Sequence, residues 1–195
     1  MILDKLWVGL KRIANGDYVL EGDLIVDDEL KVNLDDRLVV KGKIEVKTSI
    51  RVSTSLIANR GIKAGEGIEA GWGIKAGEGI EAGWGIKAGW GIEAGWGIEA
   101  GEGIEAGRGI EAGRGIKAGE GIEAGWGIKA GWGIEAGWGI EAGEGIEAKT
   151  FIDSEKRIFA GISVYHTSDN CRKTIECKRL LKGEICYGDL IIKED

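Results

Sequence analysis

A six-residue repeat dominates this chain and restricts what it can fold into. From Gly61 to Ala148 the sequence repeats Gly-Ile-[Lys/Glu]-Ala-Gly-x fifteen times, where x is Glu, Trp or Arg and the last copy ends at Ala148 without its Gly-x. Residues two apart in a β-strand point to the same side. Ile and Ala are therefore predicted to point inward, and the Lys or Glu between them outward. The Gly-x-Gly that follows is predicted to form a corner that exposes x.

The same inward pairs precede the perfect repeat in a degenerate form. These pairs are Leu24/Val26, Leu30/Val32, Leu38/Val40, Ile44/Val46, Ile50/Val52 and Leu56/Ala58. One slip of two residues separates Val32 from Leu38. Because Val gives way to the smaller Ala, the core is predicted to narrow toward the perfect repeats.

An α-helix cannot hold this repeat. Two glycines in every six residues would cost roughly 2 kcal/mol per repeat, at about 1 kcal/mol each. No apolar stripe with a period of 3.6 residues offsets that cost. Disorder is the other alternative, and it is disfavoured because every repeat keeps a β-branched residue in register, which a flexible linker does not require. The pattern indicates an all-β fold.

The outward charges predict how many hexapeptides form one coil. With three per coil, each residue stacks on the residue 18 positions away, and Lys63 then meets Glu45 and Glu81. Two per coil would stack Lys63 on Lys75, and four would stack Lys63 on Lys87. Cross-strand charge pairs contribute roughly 0.2–1 kcal/mol each, and like charges opposite one another destabilise. The sequence therefore predicts a single-stranded, triangular β-solenoid (a parallel β-helix) with about 18 residues per coil.

The corner residues form three rows at the same 18-residue spacing. One row is Trp72, Trp90, Arg108, Trp126, Glu144; the next is Glu78, Trp96, Arg114, Trp132, Thr150; the third is Glu66, Trp84, Glu102, Glu120, Trp138. Each arginine falls between two tryptophans, which predicts cation–π sandwiches.

The seven tryptophans of the repeat and the two arginines are the candidate partner-binding residues, because exposed aromatic patches mark interaction sites. They are Trp72, Trp84, Trp90, Trp96, Arg108, Arg114, Trp126, Trp132 and Trp138. The alternative is that each ring lies flat over its corner and only stabilises the stack.

The repeat divides the chain into four segments. Residues 1–17 are predicted to form an N-terminal capping helix, residues 18–60 the degenerate coils, and residues 61–148 the perfect solenoid. Residues 149–195 are predicted to hold the solenoid end and a small C-terminal cap or oligomerisation element. Caps are expected because bare solenoid ends template aggregation.

The inward pairs from Leu24–Val26 to Ile50–Val52 resemble those of hexapeptide-repeat β-solenoids, especially the bactofilin-like, polymer-forming kind. The resemblance covers roughly residues 20–164, and it implies end-to-end self-assembly. In left-handed hexapeptide acyltransferases the small inward residue stands two before the aliphatic one. Here Ala follows Ile by two, which favours a right-handed solenoid.

The fifteen repeats contain no His, Ser, Thr, Cys, Asp, Asn or Tyr. No nucleophile or base–orienter pair can be assembled from them, so no catalytic residue and no enzymatic activity are predicted. The acyltransferase chemistry also lacks a base in the repeats, since the single histidine is His166. The spacing of His166, Cys171, Cys177 and Cys186 does not match a standard zinc site. We therefore expect free thiols, no metal and no cofactor.

Residues 61–148 carry 15 Glu, five Lys and two Arg, and the whole chain has a formal net charge of -7. An acidic surface disfavours direct contact with nucleic acid or anionic membranes and favours a basic protein partner. No export signal or membrane-length apolar run is visible, which favours the cytoplasm, or a host cytoplasm if the chain is phage-encoded.

Three functions remain open from the sequence. The first is a non-enzymatic protein-binding solenoid, including a stoichiometric inhibitor or nucleic-acid mimic of the phage anti-defence kind, such as an anti-CRISPR, directed at a nucleic-acid-binding protein. The second is a self-assembling structural or cytoskeletal scaffold, including a homo-oligomer formed through the C-terminal element. The third is a carbohydrate-binding solenoid that uses tryptophan platforms.

Overall fold

The computed structural model describes residues 1–3, 9–161 and 173–194. In these residues the chain is all-β, and its 28 strands wind into about nine stacked parallel coils with three strands per coil. The predicted fold class, a β-solenoid with about 18 residues per coil, is confirmed. The handedness stays a prediction. None of the described segments forms a helix that could cross a membrane.

Three columns of strands form the three faces of the solenoid. Face A consists of β4 (Leu24–Val26), β7 (Ile44–Val46), β10 (Ile62–Ala64), β13 (Ile80–Ala82), β16 (Ile98–Ala100), β19 (Ile116–Ala118) and β22 (Ile134–Ala136). Face B consists of β1 (Ile2–Leu3), β5 (Leu30–Val32), β8 (Ile50–Val52), β11 (Ile68–Ala70), β14 (Ile86–Ala88), β17 (Ile104–Ala106), β20 (Ile122–Ala124) and β23 (Ile140–Ala142).

Face C begins with β2 (Lys11–Arg12) and β3 (Tyr18–Leu20) and ends with β26 (Thr174–Cys177) and β28 (Asp189–Ile192). Between them lie β6 (Leu38–Val40), β9 (Leu56–Ala58), β12 (Ile74–Ala76), β15 (Ile92–Ala94), β18 (Ile110–Ala112), β21 (Ile128–Ala130) and β24 (Ile146–Ala148). Two long strands, β25 (Phe151–Ala160) and β27 (Arg179–Tyr187), each continue from face A onto face B.

The register repeats every 18 residues through the perfect repeats: Ile80 pairs with Ile62 on one side and Ile98 on the other. The first coil is longer, because Leu24 pairs with Ile44 across 20 residues. The predicted slip between Val32 and Leu38 accounts for these two extra residues, and Leu34 within it is buried.

The core contains one inward pair from every strand of the repeat. The Ile and Ala of each hexapeptide are at most 5% exposed, while the residue between them faces solvent. The backbone hydrogen bonds continue through the corners, where the Trp90 amide donates to the Trp72 carbonyl at 2.8 Å. Strands and corners are therefore both paired from coil to coil, which leaves few backbone groups unsatisfied.

Close stacking explains the first glycine of each corner. A Cβ placed on Gly83 would lie 2.0 Å from the carbonyl oxygen of Gly65 in the preceding coil. At Gly85, the second glycine of the same corner, the nearest atom would be the Gly103 oxygen at 3.3 Å. The first position therefore has the stronger steric requirement for glycine.

The predicted N-terminal helix is wrong for the described part of residues 1–17. Ile2–Leu3 form a strand parallel to β5, and Lys11–Arg12 form a strand antiparallel to β3. The first coil presents unpaired backbone groups at its edge, and strands satisfy them whereas a helix packed on its side chains cannot. Residues 4–8, within the same prediction, lie outside the described residues.

In the segment 149–195, predicted to hold the solenoid end and a small cap or oligomerisation element, the described residues continue the solenoid coil. After β25 the chain returns to face C as β26, passes over faces A and B as β27, and ends on face C as β28. Ile175 and Cys177 extend the buried column beyond the repeat. The alternation of apolar residues that marks inward pairs thus persists to the end, although the Gly-x-Gly corners do not.

Candidate functional site: the corner rows and the grooves beside them

Three rows of corner side chains run along the solenoid, as predicted. Row AB, between faces A and B, contains Glu66, Trp84, Glu102, Glu120, Trp138 and Lys156. Row BC contains Thr54, Trp72, Trp90, Arg108, Trp126 and Glu144. Row CA contains Arg60, Glu78, Trp96, Arg114, Trp132 and Thr150. Backbone hydrogen bonds between successive members fix each row at the spacing of one coil.

Row BC forms a continuous stack of planar side chains. The rings of Trp72 and Trp90 are stacked with centroids 5.6 Å apart and planes 11° apart. The guanidinium of Arg108 lies 4.6 Å from the Trp90 ring centroid and 5.0 Å from that of Trp126. Such cation–π contacts contribute about 0.5–1 kcal/mol at exposed sites. The predicted sandwich around Arg108 is confirmed.

The other two rows are less continuous. Arg114 lies 5.1 Å from the Trp96 centroid, but the described residues show no matching contact with Trp132. The sandwich predicted around Arg114 is therefore one-sided. In row AB, Trp84 stands between two glutamates, and Lys156 Nζ lies 4.6 Å from the Trp138 centroid.

The tryptophan rings remain substantially open to solvent despite this stacking. Their exposed fractions run from 41% for Trp72 to 65% for Trp132. Trp72 and Trp126 are the least exposed of the seven, at 41% and 42%, while Trp90 between Trp72 and Arg108 is 49% exposed. The same tryptophan side chains can therefore pack along a row and still contact a partner.

The outward strand residues form three charged rows between the corners. Lys63 Nζ donates to Glu81 at 2.7 Å, Lys75 Nζ to Glu93 at 2.7 Å, and Lys87 Nζ to Glu105 at 2.9 Å. The bond to Glu81 raises the pKa of Lys63, and the bond to Glu105 raises that of Lys87. Every lysine of the repeat has, in the register, glutamate neighbours at the predicted 18-residue spacing. For Lys117 these are Glu99 and Glu135, and for Lys129 they are Glu111 and Glu147.

Carboxylates outnumber cations on these rows, and face B shows the consequence. There Glu105, Glu123 and Glu141 follow one another in consecutive coils. Partial burial raises the pKa of Glu141, and the charge of Glu123 adds to the shift. This end of face B therefore holds more negative charge than its own lysines neutralise.

A groove runs along each face, between the row of corner side chains that precedes the face and the charged row at its centre. The glycines and isoleucines that begin each strand form the floor, and the groove volumes are about 700, 820 and 700 Å³ for faces B, C and A. Six of the seven repeat tryptophans line a groove: Trp84 and Trp138 on face B, Trp72 and Trp90 on face C, and Trp96 and Trp132 on face A.

The groove on face C is the most acidic of the three. Its lining has six carboxylates and three cationic groups, whereas the linings on faces A and B each have one more carboxylate than cations. The carboxylates are Asp36, Glu93, Glu111, Glu144, Glu147 and Glu176; the cations are Arg37, Lys75 and Lys129. One wall of this groove is the stacked pair of Trp72 and Trp90.

The cysteines do not form a site in the described residues. Cys177 is buried on face C, and burial raises the pKa of its thiol. Cys186 is exposed near the C-terminal end. His166 and Cys171 lie outside the described residues. Among the residues the structure describes, no group of three or more His, Cys, Asp or Glu side chains is placed to hold a metal ion.

Lys156 is a member of row AB that the sequence analysis missed. Its position follows from the same spacing, since it lies 18 residues after Trp138. The loss of the Gly-x-Gly pattern after Lys149 concealed it. Phe151 was also missed, although its ring packs over Gly133 and lines the groove on face A.

Comparison with known proteins adds no relative to this description. No protein-family model matches the chain, and no curated protein or solved structure is significantly similar to it. The bactofilin-like character therefore stays a prediction that rests on the inward pairs alone.

Proposed function

We propose that this solenoid is a non-enzymatic binding protein whose acidic, tryptophan-lined grooves dock on a basic surface of a protein partner. The observation that carries the proposal is the arrangement of six half-exposed tryptophans along grooves in which carboxylates outnumber cations. Aromatic side chains are enriched among the residues that dominate binding energy. Complementary charge steers the encounter and selects the partner.

The groove on face C is the strongest binding surface by this reasoning. Its excess of carboxylates favours lysine and arginine, and its wall of Trp72 and Trp90 offers ring faces for cation–π contacts. These two rings are already ordered by stacking, which lowers the entropy lost when a partner immobilises them.

A nucleic-acid-binding protein is the partner class we favour. Carboxylates in consecutive coils, Glu93 and Glu111 on face C and Glu105, Glu123 and Glu141 on face B, are about 4.8 Å apart, the distance between coils. They present closely spaced negative charge to a surface built for phosphates. A stoichiometric inhibitor of the phage anti-defence type, such as an anti-CRISPR, would act in this way. No observation in the grooves favours the carbohydrate-binding alternative.

The test is a capture experiment with variants that separate aromatic contact from charge. Glu and Arg both occur naturally at repeat corners, so Trp72→Glu with Trp90→Glu, and Trp72→Arg with Trp90→Arg, keep the repeat intact. The immobilised wild-type chain is expected to retain a protein that salt or DNA displaces. Both double variants should lose at least about tenfold in affinity, as expected when interface aromatics are removed.

The matched control is Trp96→Glu with Trp132→Glu, which alters the groove on face A equally. Retention of the partner by this control would locate binding on face C, and equal loss would extend the binding surface to both grooves. Full retention by every double variant, or binding indifferent to salt, would contradict the proposal.

A further inference from the structure

In the last described coil of the solenoid, apolar side chains at core positions are exposed to solvent. The register of β28 on β26 places Leu190 and Ile192 above Ile175 and Cys177, which are fully buried. Leu190 and Ile192 are nevertheless 40% and 50% exposed, and none of the described strands pairs with β28 on the side away from β26. In the preceding coils the residues at these two positions are buried in the core. Leu190 and Ile192 occupy the same positions but remain partly in contact with water.

The backbone is open at the same end. Strand β27 pairs with β25, and β28 pairs with β26. Within the described residues neither strand has a neighbour on its outer side. Unpaired strand edges beside exposed apolar side chains are templates for pairing with another chain.

The N-terminal end has a different edge, which disfavours simple head-to-tail stacking. There the outer edge of β5 is occupied by β1, and the outer edge of β3 by the antiparallel β2. A C-terminal rung of another copy would find two of the three edges already paired. The open C-terminal end can instead meet its own counterpart.

We propose that two copies of this chain associate tail to tail around a two-fold axis, with β28 of each copy paired antiparallel through the middle of face C. The segment Asp189-Leu190-Ile191-Ile192-Lys193 is complementary to itself in this arrangement. With the axis at Ile191, Leu190 lies opposite Ile192 of the second copy. Asp189 lies opposite Lys193, whose ammonium also lies 2.5 Å from Glu176 of its own chain, so the pair would be part of a shared ionic cluster. Asp189 and Lys193 share the outer side of the strand, since they are separated by an even number of residues.

The charges of β27 fit the same axis. A two-fold axis through the middle of face C turns face A of one copy onto face B of the other. The first half of β27, with Arg179 and Lys182, then lies against the second half of its counterpart, with Glu184. Because the contact uses the same surface on both copies, it closes at two and does not continue into a filament. This dimer goes beyond the proposed function and does not depend on it.

Sedimentation velocity of the full chain from about 1 µM to about 1 mM, which spans tight to weak association, tests the proposal. The wild type is expected to sediment as a dimer. Ile191→Lys should weaken the dimer at least about tenfold, because two ammonium groups would face each other across the axis. Ile25→Lys is the matched control, since Ile25 is an equally outward strand residue at the other end and is 62% exposed. It should leave the dimer unchanged.

A cross-link tests the register without relying on a weakened variant. In a Cys171→Ser, Cys186→Ser background, Ile191→Cys should form a disulfide-linked dimer on mild oxidation, whereas Ile25→Cys should not. A monomeric wild type throughout the concentration range, oligomers that keep growing with concentration, equal effects of the two lysine variants, or no cross-link at residue 191 would each overturn the proposal.

Discussion

The coils of residues 18–60 and those of residues 61–148 have the same architecture but are held together differently. In the early coils, specific side chains close the corners: Thr54 Oγ1 donates to the Asp36 carbonyl at 2.7 Å, and Ser53 Oγ to the Leu34 carbonyl at 3.0 Å. In the perfect repeat the corners are joined by backbone hydrogen bonds between glycine-flanked residues. The early core also contains Leu and Val where the repeat has Ile and Ala.

The difference teaches how the register is set. A perfect coil that slips by one hexapeptide still places Ile on Ile and Ala on Ala, so its core does not distinguish the two registers. The early coils allow no such slip, because each of their contacts joins two particular residues. We infer that the early coils and the charged rows together select the register that the identical repeats adopt.

The largest expected difference in unfolding free energy is between a corner substitution in the perfect repeat and one in the early coils. Gly77 and Asn59 occupy the same corner position one coil apart, and a Cβ on Gly77 would lie 2.1 Å from the Asn59 carbonyl oxygen. Gly77→Ala should lower the free energy of unfolding by about 3 kcal/mol, because rigid backbone opposes the methyl group. Asn59→Ala should change it by less than about 0.5 kcal/mol, as for most surface substitutions. Denaturant titration of both variants measures the difference.

Gly79→Ala, in the same corner, is the control for the effect of replacing glycine on backbone freedom. Its Cβ would lie 3.4 Å from the Gly97 oxygen, an ordinary contact. A loss as large for Gly79→Ala as for Gly77→Ala would show that backbone freedom, and not close stacking, explains the glycines.

An intermediate effect is expected from two threonines at corners outside the perfect repeat. Thr54 is buried with its hydroxyl bonded to Asp36, whereas the buried hydroxyl of Thr150 finds no hydrogen-bond partner among the described residues. Thr54→Val should cost about 1–2 kcal/mol of unfolding free energy, because the Asp36 carbonyl loses its donor. Thr150→Val should be neutral or stabilising. Thermal and urea unfolding would contradict this account if the two variants behaved alike.

The smallest expected effect concerns two glutamates in the charged row of face B. Glu69 lies between Arg51 of the early coils and Lys87, while Glu141 follows Glu123. At neutral pH, Glu69→Gln should destabilise and Glu141→Gln should stabilise by about 0.5 kcal/mol each, a value kept small because Glu69 is exposed and Glu141 is only partly shielded from solvent.

The pH dependence of the Glu141 variant follows from the direction of its shift. Because the pKa of Glu141 is raised in the folded chain, the folded state holds this proton more tightly. Stability from this group therefore falls as pH rises from the ordinary carboxyl value through the raised one. The difference in unfolding free energy between Glu141→Gln and the wild type should grow over that window and level off above it. A constant difference from acid to neutral pH would remove Glu141 as the cause.

The sequence was sufficient for the coil, the inward pairs and the charge partners, because each follows from a strict six-residue period. It was insufficient at both ends, where the period fails. The spacing of Ile2, Leu6 and Leu10 is compatible with a helix, but the open edge of the first coil requires backbone partners, which the spacing of side chains does not reveal. Residues 179–192 continue the coil with single glycines, Gly183 within β27 and Gly188 before β28, in place of the Gly-x-Gly corners, so the six-residue period did not predict this coil. Which tryptophans stack also required the structure, because ring orientation depends on neighbours in adjacent coils.

Because each hexapeptide forms one third of a coil, duplication or loss of repeats changes the orientation of the coils that follow. Residues 73–102 and 115–144 are identical and stand 42 residues apart, which equals two coils and one additional face. The duplicate of Trp90, which is stacked in row BC, is therefore Trp132, which is the most exposed ring of row CA. Gaining or losing one hexapeptide leaves the core as it was but rotates everything downstream by about 120°. Recombination within the repeat can thus rotate one end of the solenoid relative to the other without any amino-acid substitution.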